Sequence, residues 1–274
     1  MPAKKKTQSR VKKTQVAQHV KIRGGKDIAP GLKEANEQSP HVVERPLKKA
    51  IKLNQFPWTD KQKEFFRIAL HPSTNIVFVS GPAGTSKTLL ATYCALQLLN
   101  MKSIEEIMYL RSAVESSAQS LGFLPGSADE KLKFYNLPFL DKLEELLLET
   151  KAEKLELENR ISMFPVNFAR GMNWKDKCVI LDEAQNSTIK EITTVLTRLG
   201  KNSRCFILAD PMQTDLKDGR MAGGYEALRK TFSDEESLQF GIYTFEFSEE
   251  DIMRSELVKF IINKLKTMED DKDE

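Results

Sequence analysis

The hydrophobic positions of this chain form short apolar runs separated by segments with helical spacing. Apolar runs predict buried strands at residues 76–79, 107–110, 178–181 and 204–209, with weaker candidates at 162–166 and 242–247. Apolar positions at helical spacing predict helices at residues 59–70, 89–99, 140–158, 188–200, 225–232 and 255–268. Strands that alternate with helices indicate an α/β fold with a mainly parallel sheet flanked by helices.

Local signals refine this pattern. Thr59 or Asp60 is the predicted N-cap of the first helix, and residues 188–191 form a capping box that opens a later one. Residues 111–136 are the longest predicted loop. Because ligands of parallel sheets bind at the carboxyl ends of the strands, we expect residues that follow the strands to share one site. These residues are the segment 81–88, Arg111, Asp182 and Asp210.

The segment 81–88 reads GPAGTSKT and directly follows the first predicted strand. It has the form G-x-x-x-x-G-K-[ST] of a phosphate-binding loop, with Ser86 in place of the second glycine. We expect Lys87 to reach the β- and γ-phosphates of a nucleotide and the Thr88 hydroxyl to bind Mg²⁺. Serine adopts fewer backbone angles than glycine, so the motif predicts nucleotide binding but does not fix the rate of hydrolysis. The predicted phosphate-binding residues are Gly81, Pro82, Ala83, Gly84, Thr85, Ser86, Lys87 and Thr88.

A second motif supplies the acidic groups that such a loop requires. The apolar run 178–181 ends in Asp182 and Glu183. A carboxylate at the carboxyl end of a buried strand is expected to meet the Mg²⁺ held by the phosphate loop, which assigns Asp182 to the metal. Glu183 is then placed to accept a proton from an attacking water molecule. The two motifs together predict an NTP-hydrolysing site.

Charge is concentrated at the two ends of the chain. Residues 1–26 carry nine Lys or Arg and no acidic residue, and residues 269–274 carry five acidic residues and one Lys. Blocks of like charge are typical of disordered tails. We therefore predict a basic arm at residues 1–45, an ATPase domain at 46–268 and an acidic tail at 269–274. The arm is compatible with binding to a polyanion such as nucleic acid, and equally with a solvated tail.

Composition excludes several other classes of protein. The three cysteines, Cys94, Cys178 and Cys205, are scattered and form no C-x-x-C pair, which is typical of buried thiols in a reducing compartment. The three histidines show no metal-ligand spacing, so no zinc site is expected. No apolar run approaches the roughly 18 residues that span a membrane, and the basic N-terminus lacks the apolar core of a signal peptide. We expect a cytoplasmic protein.

Seven motifs in a fixed order resemble the PhoH-like family of P-loop ATPases. They are GPAGTSKT, RSAVE, LGFLPG, LDEAQN, LTRLG, DPMQTDL and DIMRSELV, and they cover roughly residues 55–262. The resemblance implies a RecA-like core similar to that of superfamily-one helicases, ATP binding, and a role on RNA. Ser86 and Ala209 stand where the family usually has glycine. Some relatives carry an added nuclease or RNA-binding domain, for which we expect no room in a chain of this length. The short chain is similar to the versions of the family carried by bacteriophages. A phage protein of this kind would act in the host cytoplasm.

The resemblance also implies roles for two glutamines. Gln213, in DPMQTDL, resembles a sensor that orients the attacking water or contacts the γ-phosphate, while the alternative is a loop amide that caps a turn. Gln62 resembles the glutamine that hydrogen-bonds adenine in these helicases, while the alternative is a solvated side chain on an exposed helix.

An arginine is expected to neutralise the charge that develops on the γ-phosphate. Arg254 is the first candidate because it lies in DIMRSELV, and Arg111 and Arg198 are the others. The folded part is long enough for one RecA-like domain, so we expect the arginine to come from a neighbouring chain. A head-to-tail contact of this kind generates a ring if the rotation closes, so we expect a homo-oligomeric ring such as a hexamer, with ATP between subunits.

The predicted loop at 111–136 combines aromatic and basic residues, which suit base stacking and phosphate contact, while the alternative is that Phe123 and Leu124 pack the loop against the core. The leading hypothesis is therefore an ATPase coupled to single-stranded RNA or DNA, similar to a helicase or translocase. One alternative is an assembly protein that binds ATP as a switch and turns it over slowly. Another alternative is a nucleoside kinase. The thymidine kinases carry a four-cysteine zinc site, which the three scattered cysteines of this chain cannot form.

Overall fold

The computed structural model describes residues 50–111, 128–166, 173–210, 213, 224–253, 257 and 260, with backbone only at 128–135. In the described residues six strands form one sheet, and every neighbouring pair is parallel. The strands are β1 (Ile76–Ser80), β2 (Glu106–Arg111), β3 (Ile161–Pro165), β4 (Lys177–Asp182), β5 (Arg204–Ala209) and β6 (Ile242–Glu246). Their order across the sheet is β3-β2-β4-β5-β1-β6. The predicted α/β fold with a mainly parallel sheet flanked by helices is therefore confirmed.

Helices cover both faces of the sheet, so alternate residues of each strand belong to different hydrophobic clusters. On β1, Val77 and Val79 pack with the helices between residues 60 and 157, whereas Phe78 packs with those between residues 189 and 231. Because both faces are covered, the central strands are apolar throughout rather than alternating, as the sequence indicated. The helices are α1 (Asp60–Ala69), α2 (Lys87–Asn100), α3 (Ala128–Leu146), α4 (Ala152–Leu157), α5 (Ile189–Leu196), α6 (Gly224–Thr231) and α7 (Glu235–Gln239).

The predicted helix starts are confirmed by their hydrogen bonds. Thr59 caps α1 in a capping box with Gln62, and Thr188 caps α5 in a capping box with Glu191. In both boxes the threonine hydroxyl accepts the N3 backbone N–H, and the N3 side chain accepts the N–H of the cap residue. α7 was not predicted, although Asp234 caps it by accepting the N–H of Ser237.

The predicted single helix at 140–158 is wrong, because the chain leaves the helix at Leu147. There Leu147 forms an antiparallel bridge with Leu53, and the backbone carbonyl of Leu146 accepts the N–H of Asn54 at 2.8 Å. The pairing with a distant segment outweighs the local helical preference of the sequence. The predicted loop is also too long, since α3 begins at residue 128 and continues through Pro138.

Several expectations fall on residues outside the described part of the chain. These include the basic arm, the acidic tail, residues 112–127 and most of the predicted closing helix, of which Leu257 and Phe260 are helical. The domain boundaries therefore stay predictions. Within the described residues, no helix combines the length and the apolar character needed to cross a bilayer.

Candidate nucleotide site

The phosphate loop connects β1 to α2 and is fixed by contacts with the segment after β6. Gly81 has φ 153° and lies against Phe247, so that an added Cβ would be 2.8 Å from the Phe247 Cβ. The carbonyl of Gly84 accepts the N–H of Met253 at 3.0 Å, and the Thr85 hydroxyl donates to the carbonyl of Pro82 at 2.9 Å. The close approach at Gly81 explains why this position of the loop requires glycine.

Ser86, the departure from the phosphate-loop pattern, adopts the conformation that glycine would normally supply. It has φ 64° and ψ 23°, in the left-handed region, and is the N-cap of α2. A non-glycine residue pays about 1–2 kcal/mol for this conformation. The turn is therefore formed with serine in place, at a local cost in stability.

Lys87, the first residue of α2, folds back over the loop. Its Nζ donates to the carbonyls of Gly81 at 2.6 Å and Pro82 at 3.0 Å. Burial lowers the pKa of Lys87 below its usual range, while the negative charges of Asp210, Asp182 and Glu183 act in the opposite direction. The ammonium group thus lies among the carboxylates that end two neighbouring strands.

Asp182 and Thr88 meet at the centre of the site. The Thr88 hydroxyl donates to Asp182, 3.1 Å from Oδ2 and 3.3 Å from Oδ1. The Tyr109 hydroxyl donates to the same Oδ2 at 2.8 Å, and the backbone N–H of Glu183 donates to Oδ1 at 3.1 Å. The predicted pair of metal-binding oxygens is therefore in direct contact.

The surroundings of Asp182 act on its charge in opposite directions. Burial raises the pKa of Asp182 above its usual range, and the adjacent Glu183 raises it further. Hydrogen bonds from Tyr109 and Thr88 and the positive charge of Arg111 lower it. Arg111 is the register partner of Asp182 between β2 and β4. Donors and a nearby cation thus stabilise a carboxylate that burial alone would protonate.

Glu183 projects from a strained turn that a neighbouring glutamine holds. Glu183 has φ 55° and ψ 38°, in the left-handed region, and precedes a short 3₁₀ helix, Ala184–Asn186. The Gln185 Nε2 donates to Glu183 Oε2 at 2.6 Å and to the carbonyl of Gln213 at 3.2 Å, and its Oε1 accepts the N–H of Asp210 at 3.0 Å. Gln185 therefore ties the turn after β4 to the turn after β5.

These residues surround a cavity of about 380 Å³. The volume is within the range of small-molecule sites. Two of its residues, Lys142 and Glu145, come from α3, where their side chains form an ion pair at 2.8 Å. The lining residues are Ala83, Gly84, Ser86, Lys87, Thr88, Leu89, Lys142, Glu145, Asp182, Glu183, Gln185, Leu208, Ala209, Asp210, Gln213 and Met253.

Several predicted residues do not line this cavity. They include Gly81, Pro82 and Thr85 of the phosphate loop and Arg111 at the end of β2. Gln62 does not line it either; its side chain is 3% exposed and its Oε1 accepts the N–H of Thr59, so the alternative of a solvated side chain is wrong, while its role at adenine stays a prediction. Arg198 follows α5 and does not line the cavity either. Arg254 lies outside the described residues.

Comparison with known proteins identifies the family. A family model described as PhoH-like protein matches residues 56–266. The chain belongs to the PhoH-like family. The PhoH-like protein of Bacillus subtilis (strain 168) is 37% identical over 201 residues, which are 73% of this chain and 60% of that protein. The PhoH-like protein of Mycobacterium tuberculosis (strain ATCC 25618 / H37Rv) is 35% identical over 207 residues, which are 76% of this chain and 56% of that protein.

The PhoH-like chain described here thus spans less than two thirds of the length of these relatives. Protein PhoH of Escherichia coli (strain K12) is 33% identical over 188 residues, covering 68% of this chain and 51% of that protein. Among solved structures, unliganded Pif1 from Bacteroides sp aligns with 73% of this chain and 43% of its own, at 15% identity and a TM-score of 0.34. That likeness is too distant to support an inference about function.

Sequence reasoning missed four residues of this PhoH-like site. Tyr109 carried a usable signal, because a hydroxyl in an otherwise apolar strand needs a partner when it is buried. Gln185 lay inside the LDEAQN motif without an assigned role. Lys142 and Glu145 carried no signal, since only the packing of α3 brings them to the cavity.

Proposed function

We propose that this PhoH-like protein binds ATP with Mg²⁺ at the cavity beside the phosphate loop and hydrolyses it. The observation that carries the proposal is the contact between Thr88 and Asp182, on a wall shared with Lys87 and Glu183. A hydroxyl and a carboxylate are the hard oxygen donors that Mg²⁺ prefers. A cation, a metal-binding pair and a second carboxylate beside one cavity are the groups that phosphoryl transfer to water requires.

The residues take separate roles in this proposal. Lys87 binds the β- and γ-phosphates once it exchanges the loop carbonyls for phosphate oxygens. Thr88 and Asp182 would hold Mg²⁺, which supplies electrostatic stabilisation of the phosphate oxygens when bound. Glu183 accepts the proton of the attacking water, and its tether to Gln185 fixes the carboxylate on the cavity wall. Gln213, on the same wall, orients the water or contacts the γ-phosphate.

We further propose that single-stranded RNA or DNA stimulates the hydrolysis. In sequence, Phe123, Lys131, Lys133, Phe134 and Tyr135 combine the aromatic and basic groups that suit such a ligand. The support from the structure is the path of α3, whose later turns line the nucleotide cavity through Lys142 and Glu145. A ligand held near the start of α3 would therefore act on a helix that borders the nucleotide.

The test is ATP turnover by the purified protein with and without single-stranded RNA and DNA oligonucleotides. We expect a several-fold increase with at least one of them and no turnover by Lys87→Ala. Lys102→Ala, which changes an exposed lysine just after α2, is the matched control and should behave like the wild type. ATP binding with slow turnover and no response to nucleic acid would instead support the ATP-dependent assembly switch.

We also propose a ring of subunits, such as a hexamer, in which Arg254 acts on the ATP of the neighbouring chain. The alternative is a second cation of the same chain, because Lys142 lines the cavity together with Lys87. Mixing two inactive variants, Lys87→Ala and Arg254→Ala, distinguishes the arrangements. Turnover can recover on mixing only if Arg254 of one chain acts on the ATP bound by Lys87 of another chain. A mixture that stays inactive after subunit exchange would contradict an arginine supplied between chains.

A further inference from the structure

Tyr109 places a phenolic hydroxyl inside an otherwise apolar strand. The side chain is fully buried, and its hydroxyl donates to Asp182 Oδ2 at 2.8 Å. Tyr109 lies two residues before Arg111, the register partner of Asp182, so the bond joins neighbouring strands across the sheet. A buried hydroxyl needs a partner, but this partner is the carboxylate that the phosphate-loop threonine also contacts.

The ring of Tyr109 is held by α3. Phe139 is also fully buried and stacks on Tyr109, with ring centroids 4.3 Å apart and planes 10° from parallel. Such a stack fixes the plane of the phenol, and hence the position of its hydroxyl. One turn later on the same helix, Lys142 lines the nucleotide cavity. The support of Asp182 thus extends from β2 to a helix that itself borders the site.

We propose that Tyr109 is a positioning residue, which orients the Asp182 carboxylate for Mg²⁺-nucleotide and is itself held by the stack with Phe139. The proposal rests on the ATP and Mg²⁺ site proposed above. A hydroxyl that donates to a carboxylate restricts its rotation, and a partner of this kind holds a metal-binding oxygen in one orientation. Tyr109 therefore acts on the metal through Asp182 and does not contact the reacting atoms.

The test compares the Mg²⁺ requirement of Tyr109→Phe with that of the wild type. The substitution removes the hydroxyl and retains the ring that stacks on Phe139. The matched control is Tyr225→Phe, because Tyr225 is also buried but packs against Phe78 on the opposite face of the sheet. Two quantities are measured across a Mg²⁺ titration, namely equilibrium binding of a fluorescent ATP analogue and ATP turnover.

We expect Tyr109→Phe to need about 10-fold more Mg²⁺ for half-maximal binding of the analogue. Turnover at saturating Mg²⁺ should fall by a smaller factor. Tyr225→Phe should leave the Mg²⁺ requirement unchanged. If Tyr109→Phe folds with an unchanged Mg²⁺ requirement, the hydroxyl only satisfies the core and the proposal is wrong.

A second variant covers the case in which Tyr109→Phe does not fold. Phe139→Leu keeps the hydroxyl and removes the aromatic stack, and it should raise the Mg²⁺ requirement by a smaller factor. An unchanged requirement in this variant overturns the role of the stack. If the wild type neither binds nor hydrolyses ATP, the proposed function itself is wrong. If the wild type is active and Tyr109→Phe has the same Mg²⁺ requirement, only the role of Tyr109 is wrong.

Discussion

Gln185 Nε2 lies 2.6 Å from Oε2 of Glu183, and this contact fixes the carboxylate that we assign as the proton acceptor. The same amide group reaches the turn after β5, through the N–H of Asp210 and the carbonyl of Gln213. Two loops that are distant in sequence are therefore held together at the cavity wall. The arrangement explains how a residue in a strained left-handed turn keeps one orientation.

Gln185→Ala should reduce turnover while leaving ATP affinity nearly unchanged. A misplaced catalytic group of this kind typically costs up to about 100-fold in rate, and we expect a loss of about 10- to 100-fold in kcat. Steady-state kinetics gives kcat and KM separately. Gln97→Ala is the control, because Gln97 bonds to Tyr93 on α2 and does not line the cavity. An unchanged kcat in Gln185→Ala would show that Glu183 needs no tether.

Asp182→Asn should stabilise the nucleotide-free protein while it abolishes activity. Burial raises the pKa of Asp182 in the folded state, so the ionised form opposes folding at neutral pH. This penalty is absent below the pKa of the unfolded chain, about 3.9, and develops as the pH rises through the folded pKa. We therefore expect a rise of a few degrees in Tm at pH 7, which shrinks as the pH falls towards 4.

Turnover by Asp182→Asn should fall by about 100-fold or more, because the amide is a poor ligand for Mg²⁺. Asp234→Asn is the control, because the pKa of Asp234 is shifted in the opposite direction from that of Asp182. Hydrogen bonds from Ser237 lower the pKa of Asp234, so its charge contributes stability above the unfolded pKa and the amide should not raise Tm. A lower Tm for Asp182→Asn at pH 7 would contradict the unfavourable burial of its charge.

Much of the site was predictable because its residues follow strands directly. The carboxyl ends of parallel strands share one edge, so the short apolar runs were enough to predict that Lys87, Asp182 and Asp210 lie at one site. Gln213 was expected there only from the family resemblance. The contribution of α3 was not predictable in the same way. Its C-terminal end depends on pairing between Leu147 and Leu53, and its place in the cavity depends on packing around Phe139. Neither contact leaves a periodic pattern in the sequence.

Ser86→Gly should stabilise the protein and change turnover less than 2-fold. Glycine removes the left-handed strain of about 1–2 kcal/mol but adds freedom to the unfolded chain, which leaves a net gain of about 0.5–1 kcal/mol. Turnover should change little because the loop already has the backbone that glycine would adopt. Unfolding in denaturant and steady-state kinetics measure the two effects.

Lys102→Gly is the matched control for Ser86, since Lys102 has φ 57° and lies just after the end of α2. It should give a similar gain in stability with no change in ATP affinity. A 10-fold faster turnover in Ser86→Gly alone would show that the serine slows hydrolysis. That result would favour the assembly switch over the nucleic-acid-coupled ATPase.

The most direct test of the proposed site measures ATP binding and ATP hydrolysis by Glu183→Gln in parallel. The amide keeps the shape of the side chain and cannot accept the proton of water. We predict that affinity for Mg²⁺-ATP stays within about 3-fold of the wild type and that turnover falls by about 10²- to 10⁴-fold. Turnover that persists in Glu183→Gln, with binding unchanged, would contradict the assignment of Glu183 and the mechanism built on it.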